Sequence, residues 1–256
     1  MELNFRQLGH GDPLIILHGL FGMLDNWMSI AKKLSDKFEV FLIDQRNHGK
    51  SPHSEDHNYL LMARDLLDFM QEQNIYSAHL LGHSMGGKTA MQFATLYPGY
   101  IKSLVIADIF PKEYERITDD HTMVFEAIQS LRNCSFSDRR LAEKKLSELV
   151  PNQRILQFLF KNLSFDGQSC IRWKFNADVL MREYMNLMEN IHFSAQVNAP
   201  VLFIKAGKSD YILPEEFESV KKYFPQAKLE IMPEATHWLH ADDPETFVKI
   251  LLNFLK

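Results

Sequence analysis

The stretch of this 256-residue chain with the most definite chemistry is Gly82-His83-Ser84-Met85-Gly86. A serine hydroxyl is a weak nucleophile. It needs a base to take its proton and donors to hold the oxyanion it creates. The G-x-S-x-G spacing suits such a role. The chain must reverse sharply between a strand and a helix, and the serine takes a strained conformation that lifts its hydroxyl clear. The residues two before and two after Ser84 then approach each other, so side chains there would collide. Gly87 adds a second small residue where the helix packs back. The start of that helix also offers backbone N–H groups and a positive dipole end.

A base must reach Ser84. Of eleven histidines, His237 stands out, because it follows the last expected strand and precedes the C-terminal helix. His240, three residues later, is its competitor. For the acid behind the imidazole, two aspartates end strands at suitable places. Asp108 lies in Ala107-Asp108-Ile109-Phe110-Pro111, and Asp210 lies in Gly207-Lys208-Ser209-Asp210-Tyr211. Either could orient the histidine and stabilise its imidazolium, and both could contact His237.

The oxyanion needs two donors. One is the backbone N–H of Met85, directly after the serine. The other is expected from His18-Gly19-Leu20-Phe21-Gly22, at Leu20, with Phe21 next in line. His18 reads as a loop-packing residue. Phe21, His83 and Trp238 are the candidates for lining a substrate pocket. No histidine spacing specifies a zinc site, and the chemistry calls for neither metal nor organic cofactor.

The elements that must carry these residues follow from the hydrophobic pattern. Short apolar runs at Leu14–Leu17, Val40–Ile43, Ser77–Leu81 and Ser103–Ala107 alternate with helical patterns at Leu24–Leu34, Asn58–Gln73 and Lys88–Tyr97. Strands of this kind separated by helices predict a parallel sheet covered on both faces. From residue 111 to 198 the alternation stops. Helical patterns take over at Met123–Leu131, Arg140–Leu149, Gln153–Leu163 and Ala177–Met188. A hairpin turning at Asp166-Gly167, with Ile171–Phe175 as its return strand, interrupts them. Strands at Pro200–Ile204 and Ala227–Met232 and helices at Glu215–Tyr223 and Pro244–Leu255 then resume the rhythm. The expected organisation is one α/β core, residues 1–110 and 199–256, interrupted by a helical cap at 111–198. Such a cap would lie over the carboxyl edge of the sheet and set substrate size. Its Phe125, Phe158, Phe160, Trp173 and Phe175 suit an apolar acyl pocket, although helical spacing points most of them into the cap's own core.

Bulk properties exclude other classes. The 46% hydrophobic and 24% charged content is that of a globular protein, and the net charge is −5. A basic face for nucleic acid or an anionic membrane is not expected. Cys134 and Cys170 lack a C-x-x-C spacing. No secretion signal or membrane span is read, so the expectation is a cytoplasmic protein, a monomer or small homo-oligomer.

His18 to Gly22, Asp44 to Ser51, Gly82 to Lys88 and Thr236-His237-Trp238 together resemble the α/β-hydrolase superfamily over nearly the whole chain. Arg46 to Pro52, Met85-Gly86-Gly87-Lys88, Asp108-Ile109-x-Pro111 and His237 to Ala241 are similar to the YbfF-type bacterial esterases. The resemblance implies the α/β-hydrolase fold, a mostly parallel sheet flanked by helices. It also implies a carboxylesterase acting on short acyl esters, with thioesters including acyl-CoA also implied. It favours Asp108 by the branch and Asp210 by the wider superfamily, and so leaves the acid open. Asn47 stands where a glycine is usual, and asparagine tolerates left-handed angles. Arg46 reads as pinning its loop. Lys88 could meet an anionic substrate or simply cover its helix.

The expected activity is hydrolysis of carboxylic esters or thioesters through an acyl-enzyme on Ser84. The same fold hosts C–C bond hydrolases, aminopeptidases and perhydrolases with a serine nucleophile. A ligand-binding pseudo-hydrolase is the non-catalytic alternative.

Overall fold

The computed structural model describes residues 1–114, 119–131, 139–165 and 171–255. Its centre is a seven-stranded sheet. The strands are β1 (Phe5–Leu8), β2 (Asp12–Leu17), β3 (Phe38–Ile43), β4 (Ala78–His83), β5 (Ile101–Ala107), β8 (Val201–Ala206) and β9 (Ala227–Met232), in the order β1-β3-β2-β4-β5-β8-β9. All neighbours are parallel except β1, which pairs antiparallel with β3. A short antiparallel hairpin, β6 (Leu163–Phe165) and β7 (Ile171–Trp173), lies apart from this sheet. The expected turn of that hairpin, Asp166-Gly167, lies outside the described residues.

The interior strands are apolar on both faces because helices cover both. Leu14, Ile15 and Ile16 are fully buried, and β4 and β8 are buried along their whole length. One face carries α2 (Tyr59–Glu72) and α3 (Met85–Leu96). The other carries α1 (Met28–Leu34), preceded by a 3-10 turn at Leu24–Trp27, and α11 (Pro244–Phe254), which follows the single turn α10 (Leu239–Asp242).

β1 has no counterpart among the expected strands. Its sequence, Phe-Arg-Gln-Leu, is polar and half-exposed, as suits an edge. The helix expected at Glu215–Tyr223 is a 3-10 turn, Pro214–Glu216, and one turn of α-helix, α9 (Phe217–Val220).

Between β5 and β8 the chain forms α4 (Asp119–Ser130), α5 (Arg139–Leu149), α6 (Gln153–Lys161), the hairpin, α7 (Ala177–Arg182) and α8 (Tyr184–Met188). The helical run expected at Ala177–Met188 is broken at Glu183. The first part of this insertion builds its own apolar cluster, including Ala127, Ala142, Leu146, Leu159 and Leu180, into which Phe21 of the core also packs. From Leu187 onward, Leu187, Ile191 and Val197 belong instead to the core cluster beneath the sheet. No described helix is long and apolar enough to cross a membrane.

The topology dictates where chemistry can sit. β2 and β4 are adjacent, but the chain leaves β2 toward β3 on one side and builds outward from β4 on the other. In open parallel sheets ligands bind beyond the carboxyl ends of the strands at such a switch point. The Gly19 to Gly22 loop follows β2 there, and Ser84 follows β4.

Candidate active site

Ser84 joins β4 to α3 with φ 52° and ψ −121°. A serine in that region is strained, and the strain persists because the turn is over-determined. Its N–H donates to Ala107 O at 3.1 Å, and its carbonyl accepts from Gly87 N at 2.8 Å and Lys88 N at 3.1 Å. The flanking glycines are steric necessities. A Cβ on Gly82 would collide with the carbonyl oxygen of Gly86, and one on Gly86 with that of Leu17. A methyl on Gly87 would stand 2.5 Å from Ile109 Cγ2.

His237 follows β9. Its Nδ1 lies 2.8 Å from Oδ2 of Asp108, whose side chain is fully buried. The other oxygen, Oδ1, accepts the backbone N–H of Ala206 at 2.9 Å, and the Asp108 N–H donates to Ile204 O at 2.8 Å. Asp108 thus sits at the end of β5, held by the neighbouring strand β8, in a left-handed conformation with φ 47°. The carboxylate is aimed by backbone. Asp210 is exposed and makes no hydrogen bond or ion pair among the described residues, although it lines the same cavity. The structure therefore brings Asp108 to His237 and leaves Asp210 apart.

Ser84 and His237 line one cavity of about 820 Å³. Among the described residues the Ser84 hydroxyl has no hydrogen-bond partner. Unliganded sites often hold this contact long until substrate enters. His240 lies deeper, stacked on Trp27 with centroids 4.0 Å apart. Burial pulls its pKa down to about 3, and no carboxylate faces its ring among the described contacts. His237 alone of the two has an acid behind it.

His83 also lines the cavity, but its role is more specific. Its Nε2 donates to the carbonyl of His237 at 2.8 Å, with ring centroids 4.7 Å apart. Burial, and then the neighbouring His237 and His240, push its pKa well below the usual imidazole value. A neutral ring there holds the His237 backbone without adding charge.

The loop after β2 comes close to Ser84, since a Cβ on Gly19 would stand 3.2 Å from Ser84 Cβ. The Phe21 N–H is already committed to His48 Nε2 at 3.1 Å, which removes Phe21 as a second choice of donor. The Leu20 N–H makes no hydrogen bond among the described residues. Phe21 and Trp238 both line the cavity, and so does Phe158, 4.8 Å from Trp238 between centroids. Phe125, Phe160, Trp173 and Phe175 pack in or against the apolar cluster of the insertion.

Three contributors carried no sequence signal. Tyr211 stacks on His237 with centroids 4.2 Å apart and planes 27° apart. It directly follows Asp210, where the spacing points to an acid and not to a ring. Tyr114 donates to Tyr211 O at 2.7 Å and accepts the Phe110 N–H at 2.8 Å. His121, on α4, also lines the cavity and pairs with the Tyr184 hydroxyl at 2.6 Å. Burial lowers its pKa to about 4.

Two charged residues serve structure. Arg46 forks onto Asp65, with Nε 2.5 Å and Nη2 2.9 Å from its two oxygens. Lys88 does not line the main cavity. Its ammonium donates to Leu187 O, Met188 O and Glu189 O at 3.4, 3.1 and 2.5 Å, at the end of α8. Burial draws its pKa down to about 7, against Glu189 and Glu113. Asn47 has the left-handed φ, 64°, expected where glycine is usual. Among the described residues no group of three or more His, Cys, Asp or Glu could hold a metal.

Comparison with known proteins agrees with this fold. The sequence pattern of the alpha/beta hydrolase fold family matches residues 12–244. The chain is 36% identical over 242 residues to a putative esterase/lipase of Haemophilus influenzae, covering 94% of this chain and 82% of that one. It is 34% identical to the esterase YbfF of Escherichia coli, covering 100% and 99%. A solved marine microorganism esterase superposes with a TM-score of 0.93 at 43% identity, covering 99% of both chains.

Proposed function

The chain belongs to the alpha/beta hydrolase fold family, and from that premise we propose that it is a serine hydrolase of carboxylic esters, working through an acyl-enzyme on Ser84. The observation that carries the reading is the His237 Nδ1 to Asp108 Oδ2 contact at 2.8 Å, opening on the cavity that Ser84 lines. The esterases among its relatives support the substrate class.

The proton on Nδ1 faces the carboxylate, so Nε2 is the basic nitrogen. In the first step Ser84 Oγ attacks the ester carbonyl while Nε2 takes the hydroxyl proton. Asp108 stabilises the imidazolium without itself becoming protonated. The carbonyl oxygen becomes an oxyanion, held by the N–H groups of Leu20 and Met85. Collapse breaks the bond to the leaving alcohol, which takes the proton from Nε2. Water then attacks the acyl-enzyme by the same steps in reverse order, giving the acid and restoring Ser84. A thiol leaving group is served by the same sequence, so thioesters are the second substrate class. The insertion acts as the cap, with Phe21, Phe158 and Trp238 as an apolar wall for the acyl chain.

A series of p-nitrophenyl esters of increasing chain length, with a matched thioester, tests the reading. The wild type should hydrolyse the shorter members and be labelled by a fluorophosphonate. Ser84→Ala should lose both properties while keeping its circular dichroism. Full-rate labelling in Ser84→Ala, or no turnover of any ester by the wild type, would sink it.

A further inference from the structure

Two buried histidines outside the reacting groups hold the backbone of the oxyanion loop from both sides of one residue. The peptide unit joining Gly19 to Leu20 is fixed at its carbonyl. Gly19 O lies 2.8 Å from His18 Nδ1 and accepts the Gly22 N–H at 3.0 Å. His18 Nε2 in turn accepts the Gln45 N–H at 3.1 Å, which leaves the ring proton on Nδ1, where it donates to Gly19 O. The next unit, joining Leu20 to Phe21, is fixed at its N–H, which donates to His48 Nε2 at 3.1 Å. His48 Nδ1 donates to Arg46 O at 2.8 Å, so this ring also has a single tautomer. Both rings are buried, 1% and 0% exposed, and their centroids are 4.9 Å apart.

A trans peptide unit is planar, with its N–H opposite its carbonyl. Pinning Gly19 O therefore sets the direction of the Leu20 N–H. Pinning the Phe21 N–H sets the plane on the far side of the Leu20 Cα and holds Phe21 at φ 58°. With both planes fixed, neither soft dihedral of Leu20 is free to turn. The Leu20 N–H makes no hydrogen bond among the described residues and sits in a loop that touches Ser84. Its clamp comes from the segment Gln45 to His48, itself locked by the buried Arg46–Asp65 fork.

We infer that His48 is a positioning residue for the proposed ester hydrolysis: together with His18 it fixes the peptide planes flanking Leu20 and so aims the Leu20 N–H at the oxyanion formed on Ser84. This inference rests on the serine-hydrolase reading above. His48 touches neither substrate nor reacting atoms, and it acts through the backbone of Phe21 and Leu20.

The test uses p-nitrophenyl butyrate and an alkylboronic acid, whose tetrahedral adduct on Ser84 places an oxygen where the oxyanion forms. In His48→Leu the Phe21 N–H loses its acceptor. Loss of a whole oxyanion donor costs about 10²–10³-fold in kcat, and a mis-aimed one should cost about ten- to a hundredfold. KM should stay within about twofold, and boronate affinity should fall by the same factor as kcat, because both read the oxyanion. His48→Gln, whose Oε1 reaches the place of Nε2, should recover most of both. A merely structural role would lower melting temperature and leave kcat per folded enzyme and boronate affinity in place. Unchanged kcat and boronate affinity in His48→Leu, or an equal loss in His48→Gln, overturns the inference. If His48→Leu does not fold, His48→Gln against the shorter His48→Asn makes the same comparison, and equal kcat in the two overturns it. A wild type inert to ester, boronate and fluorophosphonate alike overturns the serine-hydrolase reading, and the inference with it.

Discussion

Asp108 presents one carboxylate oxygen to His237 Nδ1 at 2.8 Å and spends the other on the backbone N–H of Ala206 at 2.9 Å. This carboxylate is thus oriented from the strand next in the sheet, with no exposed surface of its own. Its rival, Asp210, stands exposed at the cavity.

Asp108→Asn should therefore lower kcat by about 10⁴-fold, the loss seen when a triad acid becomes an amide and the histidine adopts the wrong tautomer. Asp210→Asn should stay within a few-fold. Steady-state kinetics on one ester decide it, and the reverse ranking would falsify the assignment of the acid.

Tyr211 covers one face of the His237 ring at 4.2 Å. Tyr211→Ala removes that wall, and the ring gains freedom to leave its line to Ser84. The expected loss is about tenfold in kcat with a rise in KM, since Tyr211 also lines the cavity. Tyr211→Phe keeps the stacked ring and should retain most of kcat. Equal losses in the two variants would show that stacking is not what matters.

Lys88 binds three carbonyls around the end of α8. Lys88→Met keeps the apolar stem and takes the donor from Glu189 O, while Leu187 O keeps the Tyr59 hydroxyl at 2.8 Å and Met188 O keeps the Tyr114 N–H at 3.0 Å. A buried group left unsatisfied costs about 1–3 kcal/mol, so the unfolding free energy from a denaturant titration should fall by about that amount. Hydrogen exchange should rise first in α8. Unaltered exchange there would mean that α8 is held by its apolar contacts alone.

Stability should decline in mild acid. Burial holds the pKa of His48 and His83 well below the usual 6.5 and brings His57 and His240 to about 3. The folded protein keeps these rings neutral, while the unfolded chain takes up protons near 6.5. Below that value the unfolded state binds more protons, so stability present above 6.5 is lost as pH falls toward about 3. One such group contributes a slope of at most about 1.4 kcal/mol per pH unit. Melting temperature measured from about pH 7 to about pH 4 should drop steadily, and a flat profile would contradict neutral burial.

The parts of the site with backbone demands were legible in the chain itself. Gly82, Gly86 and Gly87 mark the turn because any Cβ there meets backbone or a packed side chain. Those marks survive in sequence as glycine spacing. Which aspartate meets His237 was not legible, because Asp108 and Asp210 both follow strands. What separates them is the Ala206 N–H, supplied across the sheet from a residue 98 positions away. The stack of Tyr211 on His237 and the brace of His83 on the His237 carbonyl are likewise contacts between loops that sequence keeps apart.

Fold followed the same rule. Strands buried on both faces are continuous apolar runs and stand out, whereas β1 is polar on an edge and does not. Helical periodicity marked the helices between β5 and β8 but not the break at Glu183, nor the packing of Leu187 and Ile191 in the main core.

The contact between Asp108 and His237 spans 129 residues. A ribosome adds about 5–20 residues per second, so roughly ten seconds separate the synthesis of these partners. During that interval the nascent chain already holds Leu20, Ser84, Met85 and Asp108 but has no His237. On the proposed reading the Ser84 hydroxyl therefore has no base during that interval, and gains one only once β9 and the His237 that follows it have been made.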